Sequence, residues 1–163
     1  MSIFDPVEKG LKELEELVAM CLTPGATIIE CADPTTVLSR IENLNLQTRP
    51  IIHWDVKSFK KFDAIGSMYA LSRLPKAPRP IVIIENIADI PNVDQNVYDD
   101  PEYVENVLLH SWRSDTIHLT HPKEGSFQLN KWDYTVIVLV KLGDLQKLHH
   151  RFPDGVGLVT TAF

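Results

Sequence analysis

The fold can be worked out from one segment, Arg79-Pro-Ile-Val-Ile-Ile-Glu-Asn-Ile-Ala-Asp-Ile-Pro91. Its four consecutive β-branched residues, at positions 81–84, show no polar alternation, which is typical of a strand buried on both faces. Such a strand lies at the centre of a parallel sheet, and its carboxyl end opens into the crevice where α/β proteins bind ligands. We therefore predict that Glu85 and Asn86 lie at a crevice, although a core strand with a polar end and no function has the same pattern.

The composition indicates one soluble domain. The chain has 163 residues, of which 44% are hydrophobic and 23% are charged, as in ordinary globular proteins. Its net charge of −6 gives no electrostatic reason to expect nucleic acid as a partner. Cys21 and Cys31 lack metal-ligand spacing and are predicted to be reduced thiols. Since neither a signal peptide nor an apolar run of membrane-spanning length is found, we predict a cytoplasmic protein with no membrane contact.

Helical and strand-like segments alternate along the chain. An amphipathic helix that packs on its own domain or on a partner is predicted within residues 1–24, and the core is predicted over 26–163. The strands are predicted at 26–31, 51–54, 81–84, 135–140 and 155–163, a hairpin at 116–134, and the helices after about residue 36 and at 63–74, 101–112 and 143–151. We predict a three-layer α/β/α sandwich with a mainly parallel five-stranded sheet and a β-hairpin insertion.

This order of elements resembles the core of AAA+ ATPases, a branch of the P-loop NTPases. The segment 81–86, Ile-Val-Ile-Ile-Glu-Asn, is similar to the Walker B strand, in which four apolar residues precede Asp-Glu. The strand 135–140 with Lys141 resembles the strand that ends in the sensor 1 residue. His149-His-Arg-Phe152 is similar to the segment that supplies the arginine finger of the family. Arg151 would then act on a neighbouring subunit; its alternative role is that of an ordinary cation at a helix end, stabilised there by the helix dipole.

The sequence departs from the family at the phosphate-binding loop. The family needs G-x-x-x-x-G-K-[ST], because backbone N–H groups and the Lys hold the phosphates. Here the position reads Cys31-Ala-Asp-Pro-Thr-Thr36, a segment with no glycine and no lysine. Asp33 would repel phosphate, and only Thr35 or Thr36 could replace the magnesium-binding hydroxyl. Asn86 stands where the family has its catalytic Glu, and an amide cannot act as a general base.

These departures favour a catalytically inactive AAA+-like module that acts in protein interaction, as a regulatory or non-catalytic subunit. Its partner would be another protein or further copies of the chain. The sequence also ends where the family continues into its helical lid, so we expect no lid. No cofactor is expected.

The alternative is a nucleotide-binding protein or ATPase with a non-standard phosphate site. The same crevice would then hold Mg-ATP through polar residues at the carboxyl ends of the strands. These are Asp33, Thr35, Thr36, Glu85, Asn86 and Lys141. No metal site is predicted from the histidines, because His118 and His121 lie in a strand and a turn, where a spacing of three does not bring two imidazoles together.

Overall fold

The computed structural model describes residues 15–16, 19, 23–44, 49–60, 62–88, 101–147 and 157–161, with only the backbone described for 101–103 and 157–161. The strands are β1 (Gly25–Cys31), β2 (Ile51–Asp55), β3 (Ile81–Glu85), β4 (Thr116–His121), β5 (Gly125–Asn130), β6 (Thr135–Lys141) and β7 (Gly157–Thr161). The helices are α1 (Pro34–Asn43), α2 (Asp63–Ser72) and α3 (Pro101–Leu108). Most of the predicted first helix lies outside the described residues.

The main sheet is parallel. Its strands lie in the order β2-β3-β6-β1, and β7 pairs in parallel with the other side of β1. The predicted α/β architecture with a parallel sheet and a hairpin is thus confirmed. As expected from residues 81–84, β3 lies inside the sheet, and Ile81, Val82, Ile83 and Ile84 are completely buried. The absence of polar alternation in this strand therefore reflects apolar packing on both of its faces.

Helices cover both faces of the sheet. On one face, Val37 and Ile41 of α1 belong to the same core cluster as Ile81 and Ile83. On the other face, Val82 and Ile84 belong to a larger core that includes the apolar sides of α2 and α3. Because successive strand residues point to opposite faces, β3 contributes alternately to the two cores. None of the helices among the described residues is long and apolar enough to span a bilayer.

The hairpin is a separate two-stranded antiparallel sheet formed by β4 and β5. It packs on α2, where the Tyr69 ring contacts those of His121 and Phe127 at centroid distances of 5.4 Å. The predicted turn at 124–126 is shifted, because Gly125 already begins β5 with a positive φ of 82°. The reversal is made by residues 122–124.

Four helix predictions differ from the structure. Of the helix predicted at 143–151, the described part forms only a 3₁₀ turn at Leu145–Lys147, and 148–151 lie outside the described residues. The segment around Asp33 was predicted as a turn, but α1 already begins at Pro34, since proline suits the first helical position. Helix α2 ends at Ser72, two residues before the predicted end. The predicted helix over 101–112 is helical only as far as Leu108, and a 3₁₀ turn follows at His110–Arg113.

Candidate functional site

The predicted site residues lie together where the parallel strands end, a region that we call the carboxyl edge. Asp55 at the end of β2 is in register with Glu85 at the end of β3. Glu85 is in register with Leu139 of β6, so Lys141 lies two residues further along that strand. Lys141 is in turn in register with Cys31 at the end of β1, just before Asp33. The carboxyl edge therefore brings acidic, amide and lysine side chains from neighbouring strands into one region.

The connection from β1 to α1 is very short. Only Ala32 and Asp33 separate the two elements. One carboxylate oxygen of Asp33 accepts a hydrogen bond from the backbone N–H of Thr35 at 3.1 Å, and the other accepts one from the Thr36 hydroxyl at 2.7 Å. The Thr36 hydroxyl is also the main cause of the lowered pKa of Asp33, assisted by the backbone N–H groups of Thr36 and Thr35 and by the charge of Lys141. The helix start is thus capped by a carboxylate of the chain itself.

Glu85 is held by a histidine that sequence reasoning did not select. His53 Nε2 lies 2.9 Å from Glu85 Oε2, and the side chain of Glu85 is only 14% exposed. His53 is in register with Ile83, two residues before Glu85, so the two side chains are diagonal neighbours on one face of the sheet. The strand prediction contained both residues, but choosing this pair also requires knowing that β2 and β3 are adjacent.

Asn86 has an unusual backbone conformation. Its φ is +64°, in the left-handed region that Asn tolerates better than most residues. The side-chain amide donates a hydrogen bond to Asp55 Oδ1 at 2.7 Å, and the same oxygen accepts one from the backbone N–H of Lys57 at 3.0 Å. Asn86 therefore joins the end of β3 to the turn that follows β2.

A cleft of about 240 Å³ opens beside Asn86 at the carboxyl edge. We call it the lysine cleft, because Lys57, Lys141 and Lys147 all line it. Lys147 Nζ lies 3.1 Å from Asp144 Oδ1, which also lines the cleft. Several amines with one carboxylate suit a small oxyanion such as phosphate better than a cation. The sequence prediction included Lys141 but missed Lys57 and Lys147, whose role depends on how the loops after β2 and β6 approach each other.

Cys31 is completely buried at the end of β1. Burial is the main cause that raises the pKa of its thiol from 9.0 to about 11, and the charges of Asp33, Glu85 and Glu30 add to the effect. Its Sγ lies 3.7 Å from the carbonyl oxygen of Val140 on β6. Because the thiolate is the reactive species, this cysteine has a structural environment and not that of a nucleophile.

We expect Cys31 to be alkylated by iodoacetamide roughly 100-fold more slowly in the folded protein than in urea at pH 8, because a pKa two units higher leaves that much less thiolate. A Cys21→Ser background confines the reaction to Cys31. The folded state keeps a thiol proton that the unfolded chain loses, so the free energy of unfolding should also fall as pH rises from about 9 to 11. Equal alkylation rates in the folded and unfolded protein would contradict this prediction.

Two further predictions concern other parts of the chain. Arg151, the predicted trans-acting arginine, lies outside the described residues. Within the described ranges, no group of three or more His, Cys, Asp or Glu side chains is arranged to hold a metal ion.

No protein-family model matches the sequence, and no curated protein matches it significantly.

Proposed function

We propose that this chain is an AAA+-like module that does not hydrolyse ATP and that acts by binding other proteins, as a regulatory or non-catalytic subunit. The observation that carries the proposal is the capping of α1 by Asp33. In the family, this helix start and the loop before it bind the nucleotide phosphates. Here a carboxylate occupies that position and bonds the first available backbone donor.

The strand order supports the comparison with AAA+ proteins. Without the hairpin strands, the parallel strands are numbered one to five along the chain, and they lie in the order 5-1-4-3-2. The three strands that carry or precede the motif-like segments therefore lie side by side at the centre of the sheet. The strand that resembles Walker B, β3, then lies two places from β1, with the sensor-like strand β6 between them. The likeness lies in topology and in short motifs, so it supports a shared architecture more than a shared activity.

The length of the β1–α1 connection argues against phosphate binding. A phosphate-binding loop curls around its ligand and needs four residues between two glycines. The two residues Ala32 and Asp33 are too few for such a loop, and Pro34 contributes no N–H group. A phosphate placed here would also meet the negative charge of Asp33, whose pKa is lowered by its hydrogen bonds and which is therefore ionised at neutral pH. Both the geometry and the charge oppose the family's mode of nucleotide binding.

The residues at the Walker B position are also engaged elsewhere. Glu85 interacts with His53, and Asn86 donates its amide hydrogen to Asp55. In an active AAA+ site, the Glu that stands at the position of Asn86 would accept a proton from water. Asn86 has no basic group at neutral pH, and its conformation directs its amide toward β2. Without a general base at this position, we expect no hydrolysis. A protein-binding scaffold needs neither a free Glu85 nor a base at position 86.

A second candidate function is nucleotide binding through a non-standard phosphate site in the lysine cleft. The favouring observation is the convergence of Lys57, Lys141 and Lys147 beside Asn86. The volume of about 240 Å³ is below the 300–1,000 Å³ that is usual for pockets that enclose a whole ligand. The cleft could therefore take a phosphate group while the rest of the nucleotide stayed outside. We rank this candidate second because Asp144 already neutralises part of the positive charge.

We expect millimolar Mg-ATP and Mg-ADP to leave the thermal unfolding temperature unchanged, and we expect no release of phosphate from ATP. The reason is that the family's phosphate position is occupied by Asp33. A ligand present at about 100 times its Kd would add about 2.7 kcal/mol to the free energy of unfolding, which is about 5–10 °C for a domain of this size. Differential scanning fluorimetry and a phosphate-release assay measure the two quantities.

The same experiment separates the two candidate functions. Lys141→Gln removes one charge from the lysine cleft, and Lys123→Gln makes the same change in the exposed turn of the hairpin. A stabilisation by Mg-ATP or pyrophosphate that is lost in the first variant and kept in the second would replace our proposal by the second candidate. Phosphate release from Mg-ATP above that of a protein-free control would refute the proposed absence of catalysis.

A further inference from the structure

The outer edge of β4 presents backbone groups for which the described part of the chain supplies no third strand. Lys131 N donates to Asp115 O at 3.0 Å, which makes these two residues a hydrogen-bonded pair at the base of the hairpin. In an antiparallel ladder such pairs alternate with pairs that do not exchange hydrogen bonds. The register then directs the N–H and C=O groups of Thr116, His118 and Thr120 away from β5. No third strand pairs with this edge among the described residues.

A groove runs beside this edge. It has a volume of about 500 Å³, and its two walls are the first half of β4 and the end of α3 with the 3₁₀ turn that follows. Ser111 and Arg113 line the helical wall, and Thr116 and His118 line the wall formed by β4. Ser111 is fixed in its wall by a hydrogen bond from its hydroxyl to the carbonyl oxygen of Asn106 at 2.8 Å. A strand edge opposite a helical wall is a suitable place for an extended peptide to add to a sheet.

The charge of the groove is opposite to that of the whole chain. The chain has a net charge of −6, but none of the described residues that line the groove carries a carboxylate, and the exposed Arg113 contributes a cation. Asp115 follows closely in sequence, but its carboxylate lies 3.3 Å from Lys131 Nζ on the side of β5. An acidic side chain in the groove would therefore meet a cation suited to bidentate binding of carboxylates, without a competing acid in the lining.

The edge also lacks the features that protect exposed strands from pairing. Protected edges usually carry lysine, proline, a bulge or an inward-pointing charge. The side chains at the outward-facing positions of β4 are two threonines and a histidine, Thr116, Thr120 and His118. The opposite edge, formed by β5, is similarly uncharged, with Ser126, Gln128 and Asn130 at the corresponding positions. The groove, however, lies along β4 and not along β5. Only at β4 would an added peptide also contact the helical wall formed by the end of α3 and the 3₁₀ turn.

We infer that this groove binds an extended segment of a partner protein, which adds to β4 as a third strand and places an acidic side chain against Arg113. Backbone hydrogen bonds to Thr116, His118 and Thr120 would supply affinity, and Arg113 would select for the carboxylate. The inference deepens the proposed protein-binding function by naming a surface and a kind of partner. It involves none of the carboxyl-edge residues, so it can fail while the module still binds proteins elsewhere.

The experiment selects displayed peptides of about ten random residues on the full chain, because an extended segment of that length covers β4 and the groove beside it. The sequence enriched most strongly is synthesised, and its Kd is measured by fluorescence anisotropy with three variants. His118→Pro removes an outward N–H group from β4, and Gln128→Pro removes the group directly opposite on β5. Neither of these N–H groups forms a hydrogen bond between β4 and β5, so both variants should keep the fold. Far-UV circular dichroism checks that they do. Arg113→Gln removes the cation.

We expect enrichment of acidic, β-branched peptides, and a Kd that rises about tenfold or more in His118→Pro and in Arg113→Gln. Gln128→Pro should bind within about twofold of the unchanged protein. In addition, replacing Glu by Gln in the peptide should weaken binding to the unchanged protein but have little further effect with Arg113→Gln. The inference would be overturned by a failure to enrich any peptide, by equal effects of the two proline variants, or by peptides without acidic residues.

Discussion

Replacing Trp112 with alanine is expected to lower the free energy of unfolding by about 3–5 kcal/mol. The indole is 1% exposed and belongs to the larger core of the protein. Its ring packs edge-on against Tyr134 at a centroid distance of 6.2 Å, and its N–H donates to the Leu108 carbonyl oxygen at 3.0 Å. The substitution would leave a large cavity where the end of α3 and the start of β6 are packed together, and rigid neighbours refill such a space only in part.

Urea unfolding followed by circular dichroism measures this change by linear extrapolation. The chain contains a matched control, since Trp132 is 50% exposed and its ring lies beneath Lys131 Nζ at 4.8 Å. Trp132→Ala removes the same side chain but only a surface cation–π contact, so we expect a loss of at most about 1 kcal/mol. Similar losses for the two tryptophans would show that Trp112 is not packed in the core as described.

The second large effect is expected at the candidate site, where Asn86→Val should lower the free energy of unfolding by about 3 kcal/mol. A left-handed backbone costs a residue with a Cβ about 1–2 kcal/mol, and a β-branched residue meets the strongest clash. The variant also loses the hydrogen bond to Asp55, and hydrogen bonds to charged groups contribute about 1.5–3 kcal/mol. The side chain is only partly buried, so the lower part of that range applies.

Asn86→Gly separates the two contributions, because glycine adopts a positive φ without strain but cannot bond to Asp55. We expect it to lose about 1–2 kcal/mol less than Asn86→Val when both are unfolded in urea. If the two variants were equally destabilised, the left-handed conformation at +64° would not be the reason for asparagine at this position. If neither were destabilised, the amide–carboxylate bond would contribute nothing measurable to the fold.

These two results would change the interpretation of Asn86. From the sequence, Asn86 was interpreted as the loss of a catalytic base at a Walker B-like position. The structure gives it a local task, since its backbone turns the chain out of β3 and its amide reaches β2. A glutamate in this conformation would bring a second carboxylate beside Asp55. The geometry of the edge therefore gives a reason for asparagine at this position that does not depend on the proposed absence of hydrolysis.

Much of the site's location could be predicted from the sequence. Unbroken apolar runs at 81–84 and 135–140 identify buried strands, and parallel strands end at the same edge, so Glu85, Asn86 and Lys141 could be expected near each other. Helix boundaries were less predictable. The apolar spacing of 101–112 continues through Trp112, but the α-helix ends at Leu108 and a 3₁₀ turn positions the indole. The spacing of apolar residues shows which side of a helical segment is buried. It does not show whether the segment has α-helical or 3₁₀ hydrogen bonds.

An α/β chain with buried parallel strands and a hairpin could be predicted from the sequence alone, and so could a segment 31–36 without glycine or lysine. These features follow from local patterns, because a strand, a turn or a missing side chain is fixed by residues close together in the chain. Three arrangements required the folded structure: Glu85 lies beside His53, three lysines share a cleft, and the outer edge of β4 faces a helical wall. Each depends on which strands and loops are neighbours in space, and long-range packing sets that arrangement.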